Sequence, residues 1–221
     1  MDRSKACHYG LAFIVEGFTE KVFYLEYLSQ LCKVRGLDFR KVTESQEDCY
    51  IISSSTEEVI VMMFSTNSVS QMTNSATWFE RACVNNCHHE IQWTAFLCYD
   101  TNEYNSDITK FHEGDWVILR ASIEKQAIKV VDLAAEAEIE DMILCDFSNV
   151  LSYLGLPLET KIPSGNKGKA KLKKLYRMVA VNNAYHAGVR AKNLIASLDM
   201  NIIKESAPIP LKEIDEAVKI A

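Results

Sequence analysis

Two carboxylates stand at the ends of apolar runs. Phe13-Ile14-Val15 stops abruptly at Glu16-Gly17, and Phe96-Leu97-Cys98-Tyr99 stops at Asp100. In an open α/β sheet, functional groups gather at the carboxyl ends of strands. If the two runs are neighbouring parallel strands, Glu16 and Asp100 project into one crevice. Carboxylates held that close raise one another's pKa unless a cation lies between them. Oxygen-only ligation of this kind suits Mg²⁺ or Mn²⁺, which keep waters and share oxygens with a substrate. Acidic turn residues also end strands for no chemical reason, so spacing alone leaves both readings open.

A second constellation is cationic. From Lys161 to Lys192 there are nine Lys or Arg and no Asp or Glu, in a chain of net charge −6, so the rest carries −15. Within it, Lys167, Lys169, Lys171, Lys174 and Arg177 follow a glycine-containing entry at Gly165 and Gly168. The segment reads either as a solvated helix face or as an arm that contacts phosphates. A third candidate is Cys83-Val84-Asn85-Asn86-Cys87-His88-His89, soft ligands at helical spacing that zinc would accept. It has no second Cys/His pair at a finger-like distance. No Gly-x-Ser-x-Gly elbow, Gly-x-Gly-x-x-Gly turn or phosphate-loop lysine occurs, which argues against an esterase-like hydrolase and against nucleotide hydrolysis.

The elements that must position these residues follow from periodicity. Residues 10–15 predict a strand, and Val22, Phe23, Leu25, Leu28 and Leu31 predict a helix stopping near Gly36. Residues 49–53 and 59–64 predict short strands paired around 54–58. Helix is expected over 78–87, strand over 93–99, and further short strands over 116–120 and 128–131. One helix is expected over 139–154, a loop over 163–168, and helices over 169–181, 190–198 and 210–220. The order predicts an α/β class, a mostly parallel sheet flanked by helices and followed by a helical C-terminal subdomain. The division falls at residues 10–136 and 137–221.

Val15-Glu16-Gly17-Phe18-Thr19-Glu20, with Phe23-Tyr24 after it, resembles the opening motif of Toprim domains. Asp100-Thr101-Asn102 lies where that family carries Asp-x-Asp. Ile139-Glu140-Asp141-Met142-Ile143-Leu144 and the basic region after it resemble stand-alone Toprim proteins of prokaryotic anti-phage and abortive-infection systems. The resemblance implies a Mg²⁺- or Mn²⁺-dependent nuclease cutting RNA, tRNA included, or DNA. It makes Glu16 the general acid/base and Asp100 its catalytic partner. The implied metal ligands are Glu16, Asp100, Asn102 and Glu140, with Glu103 or Asp141 as further acids. Asn102 departs from the pattern by bringing no charge. It therefore favours a rival reading, a degenerate Toprim module that binds nucleic acid or a partner ATPase without cutting. The implied partners are a nucleic-acid substrate, bound along Lys167, Lys169, Lys171, Lys174 and Arg177, an ATPase sensor and a second copy of the chain.

Composition bounds these readings. A chain of 221 residues, 48% hydrophobic and 24% charged, is a compact globular protein and neither disordered nor collagen-like. No apolar run approaches the roughly 18 residues that span a bilayer. Nothing at residues 1–10 reads as a signal peptide, so a cytoplasmic protein with reduced thiols and no membrane partner is expected.

Overall fold

The computed structural model describes residues 6–66, 72, 74–86, 90–101 and 113–220. Its centre is a six-stranded sheet in the order β2-β3-β4-β1-β5-β6. The strands are β1 (Ala6–Val15), β2 (Asp38–Lys41), β3 (Asp48–Ser53), β4 (Glu57–Ser65), β5 (Gln92–Asp100) and β6 (Lys129–Ala135). β4, β1, β5 and β6 run parallel, while β3 pairs antiparallel with β4 and β2 with β3. The expected α/β class, with a mostly parallel sheet flanked by helices, is what the chain forms.

The inner strands are apolar nearly throughout because both faces are covered, as parallel sheets require. Successive residues nonetheless alternate between two cores. Leu11, Phe13 and Val15 of β1 join Val59, Val61, Met63, Phe96 and Cys98 in one, where Phe13 stacks on Phe96 with ring centres 4.7 Å apart. Ala12, Ile14, Ile60, Met62, Ala95 and Leu97 face the other.

The first core is roofed by α1 (Phe18–Arg35) and by the C-terminal helices: α4 (Ile139–Ile143), α5 (Phe147–Leu154), α6 (Gly168–Val179), α7 (Lys192–Ala196), α8 (Met200–Ser206) and α9 (Lys212–Ala217). The helical third that the sequence sets apart at residue 137 thus shares its core with the sheet. The second core is covered by α2 (Ser75–Trp78), its π-helical continuation Phe79–Val84, and α3 (Glu113–Glu124).

Two expectations are corrected. Residues 116–120 are helical within α3, where Leu119 and Ile123, one turn apart, are both buried. A short β-branched run fits a buried strand and a helix face equally well. The single helix expected over 139–154 is broken at 144–146, where Asp146 caps α5 by accepting from Asn149 N. The edge strand β2 and the helix α8 had no expectation at all. Gly36 does end α1, in the left-handed region at φ 69°, and the hairpin of β3 and β4 forms about residues 54–56. No helix among the described residues is long and apolar enough to cross a membrane. None of the six described cysteines is in a disulfide.

Candidate metal centre

From β1 the chain passes through α1 toward the β4 side of the sheet; from β5 it passes through α3 to β6 on the opposite side. The strand order therefore reverses between β1 and β5, and a crevice opens at their carboxyl ends. Glu16 follows β1 and Asp100 ends β5, one on each side of it. Glu16 N donates to Cys98 O (3.0 Å), which holds the two strand ends together.

The chain then turns at Gly17, and α1 starts at Phe18, so Glu20 lies in the helix's first turn. A Cβ at Gly17 would stand 3.0 Å from Glu20 Oε2. Glycine here lets the Glu20 carboxylate fold back against the turn. As a result Glu16, Glu20 and Asp100 each place an oxygen within 4.8 Å of the other two. Glu20 is buried, whereas Glu16 and Asp100 are half-buried.

The surrounding backbone fixes two of the three. Asp100 N donates to Glu16 Oε2 (3.3 Å), and Ile139 N donates to Asp100 Oδ1 (2.8 Å). Thr101, buried, accepts from Ala137 N at Oγ1 (2.9 Å) and donates to Ala135 O. Ala137 is buried with φ +64°, a left-handed conformation that costs about 1 kcal/mol or more for a residue with a Cβ. That strain sits in the turn which presents Ile139 N to Asp100. Beneath the crest, Tyr24 and Cys98 form a dry floor. Burial pushes both well above their ordinary pKa, and the nearby Glu20 charge adds to the effect.

The structure thus brings together Glu16 and Asp100, as the sequence predicts, and adds Glu20, to which no role was assigned. Its signal was present: Glu16 and Glu20 are four apart across a turn that opens a helix. Glu140 does not join the group. It is buried and accepts from Tyr185 Oη (3.1 Å), and burial raises its pKa. Asn102 and Glu103 lie outside the described residues, as do Cys87, His88 and His89 of the zinc alternative. Cys83 is packed in the second core. Among the described residues, the acid trio is the one group of three His, Cys, Asp or Glu able to share an ion.

The cations expected to contact nucleic acid meet different fates. Lys171 Nζ bonds Asp141 Oδ1 (2.9 Å), and Lys174 Nζ donates to Ser164 O (2.6 Å), so both hold the fold. Lys167 is the residue before α6. Lys169 and Arg177 are exposed on that helix. Tyr176 packs edge-on against Tyr185 and is not available to stack on a base.

No family model and no curated protein matches the chain. Among solved structures it is similar to the 5'-methylthioadenosine/S-adenosyl homocysteine nucleosidase of Campylobacter jejuni, at 14% identity over 94% of this chain and 99% of that one, with a TM-score of 0.29. It is also similar to a futalosine hydrolase mutant of Helicobacter pylori strain 26695, at 9% identity over 90% and 98%, with a TM-score of 0.24. Scores this low carry no argument about what this chain does. The Toprim assignment is corrected: no family model matches the chain, and the solved structures it is similar to are a nucleosidase and a futalosine hydrolase. The anti-phage nuclease and its degenerate rival both fall with that assignment. The physical reason is plain: any parallel sheet with a switch point can present a carboxylate before a glycine turn and a second one on the next strand.

Proposed function

We propose that the chain is a divalent-cation-dependent hydrolase whose Mg²⁺ or Mn²⁺ is held by Glu16, Glu20 and Asp100. The observation that carries the reading is the convergence of three carboxylates within 4.8 Å of one another, at the switch point of a parallel sheet. Like charges at that distance repel by about 1 kcal/mol per pair in water and by roughly 3 kcal/mol at an effective dielectric of 20. A hard cation reverses the sign, and an all-oxygen set is the donor chemistry Mg²⁺ and Mn²⁺ prefer. The residues fit the ion.

When bound, such a cation lowers the pKa of a coordinated water and offsets negative charge that develops on the substrate. The remaining work belongs to the chain. Asp100 is held by Ile139 N on Oδ1, which fixes the orientation of Oδ2. Glu16, half-buried at the mouth, takes the proton from the attacking water and returns it to the leaving group. Glu20, buried against Tyr24 and Cys98, keeps one charge fixed in a dry floor where it acts most strongly.

The test is thermal unfolding with and without cation. A ligand at about 100 times its Kd adds roughly 2.7 kcal/mol, a rise in Tm of about 5–10 °C for a chain of this size. The rise is expected with Mg²⁺ or Mn²⁺ and is lost in Asp100→Asn and Glu20→Gln. Chromogenic phosphate, carboxylate and glycoside esters are then incubated with cation or EDTA. Cation-dependent release lost in Glu16→Gln supports hydrolysis. No shift with either cation, or a shift that survives in both variants, sinks the reading.

A further inference from the structure

The helix α6 is electrostatically costly as it stands. Lys169, Lys171, Lys173, Lys174 and Arg177 lie along its 12 residues with no acid among them. Surface helices ordinarily intersperse the two signs. Here Lys169 and Lys173, and Lys173 and Arg177, are like-charge pairs at i, i+4, each of which weakens a helix by a few tenths of a kcal/mol. Lys169 and Lys171 also crowd the first turn, where the helix dipole disfavours cations.

Part of this cost is offset from within. Gly168 N donates to Asp141 Oδ2 (2.8 Å) and Lys169 N to Glu138 Oε2 (3.1 Å), while Lys171 pairs with Asp141. Gly168 is there because a Cβ would lie 2.3 Å from Asp141 N, so α6 is seated directly on α4. The exposed cations of α6 are Lys169, Lys173, Lys174 and Arg177; Lys174 bonds Ser164 O, and the other three form a row one turn apart that extends about 12 Å along the helix.

The first turn of α6 is tied to the acid trio through the start of α4. Asp100 holds Ile139 N, and the flanking Glu138 and Asp141 hold the first amides of α6. A ligand lying along α6 and continuing past its N-terminal turn therefore runs toward the crest. It must carry repeated anions at about one per helical turn or closer, and oxygens fit to share a cation. It needs no flat rings, since α6 offers no exposed aromatic among its described residues and Tyr176 is turned onto Tyr185.

We infer that the substrate class is a linear chain of phosphates joined by phosphoanhydride bonds, gripped by Lys169, Lys173 and Arg177 with one end at the acid trio. The inference rests on the hydrolase reading for its chemistry and on α6 alone for its binding. At the crest, the oxygen of water bonds to a phosphorus as the bridging P–O bond breaks. One proton of the water passes through Glu16 to the departing oxygen, leaving two shorter phosphates and consuming one water.

The experiment separates the two claims. Fluorescently tagged inorganic polyphosphate is titrated with the full chain in EDTA, so binding is read without the metal centre. Wild type is compared with Lys169→Ser/Lys173→Ser/Arg177→Ser and with a control losing three exposed lysines elsewhere, Lys33, Lys125 and Lys212. The triple α6 variant is expected to bind at least tenfold more weakly and to lose about 2 from its log–log salt slope, with the control unchanged. Its Mg²⁺-induced thermal shift stays intact, which shows that it folds. Phosphate release from polyphosphate with Mg²⁺ completes the case. No binding in EDTA, equal weakening in the control, or equal affinity for heparin or a single-stranded oligonucleotide overturns the inference whatever the metal centre does. Binding without any release overturns the substrate assignment. Binding intact with no cation shift sinks the hydrolase reading and the cleavage step with it.

Discussion

Asp146 and the acid trio are both sets of buried or half-buried carboxylate, yet they are built on opposite principles. Asp146 is 1% exposed, and four donors close on it: Ser148 Oγ, Asn149 N, Asn149 Nδ2 and Asp199 N, at 2.7–3.4 Å. Its charge is fully answered by the fold, and it fastens the start of α5 to the turn before α8. At the crest, Glu16, Glu20 and Asp100 converge on one another. A carboxylate surrounded by donors is a structural rivet. Carboxylates pressed together oppose the fold that holds them, and that opposition is what a cation relieves. The first kind of site stabilises the chain as it stands; the second carries a mutual repulsion that a ligand offsets.

The contrast breaks most visibly at the rivet. Asp146→Ala strands several buried donors, each costing about 1–3 kcal/mol, so a loss of roughly 3–5 kcal/mol is expected from urea unfolding. A loss under about 1 kcal/mol would mean water replaces the carboxylate and the rivet is dispensable. Next in size is Gly168→Ala. The added methyl meets the Asp141 backbone at 2.3 Å, so α6 must lift from α4 or α4 must shift. Overpacking of this kind costs about 1–3 kcal/mol. Asp146→Ala should leave the cation-induced shift in place, because it does not touch the trio, whereas a shift of α4 in Gly168→Ala reaches Asp100 through Ile139 N.

These two positions also show what the sequence could and could not tell. Alternation and helical spacing located β1, α1, β4 and β5, because those elements bury long apolar sets, and the carboxylates that end β1 and β5 were visible as interruptions of them. Glu20 does not stand out in the sequence, since an acid in a helix's first turn is ordinary dipole complement. Only the backward fold at Gly17 brings it to Glu16. The reach of Asp146 beyond its own cap is hidden likewise: Asp199 N is brought to it by packing across 53 residues. The basic segment was legible as charge. Which lysines serve the fold was not, because Asp141 is brought to Lys171 by the α4–α6 contact. The Toprim likeness failed where local motif and global fold part company, since strand-end acids belong to many parallel sheets.

At the trio itself the expected sign reverses. Glu20→Gln removes a buried charge held against two others, so the cation-free protein is expected to gain roughly 1 kcal/mol. The same substitution abolishes the cation-induced shift. Stability and ligand response then move in opposite directions at one residue, which no rivet would do. A variant that loses stability without cation would place Glu20 with Asp146 and remove it from the metal centre.

The smallest effect concerns Glu140, which lies between the two kinds of site. Burial raises its pKa, the Lys169 charge and the Tyr185 hydroxyl hold it down, and Glu138 adds to the rise; the net direction is upward. A carboxyl whose folded pKa exceeds its unfolded value near 4.3 binds its proton more tightly in the native state. Its contribution is therefore fully present below about pH 4 and is lost as pH climbs through the folded value. Glu140→Gln keeps an oxygen for Tyr185 Oη and removes the titration. The variant and wild type should unfold at the same temperature in acid and diverge as pH rises to 7, the variant becoming the more stable. A wild-type advantage at neutral pH would mean that the charge of Glu140 is answered as fully as that of Asp146, and that Lys169 is its partner and not a cation left for α6's ligand.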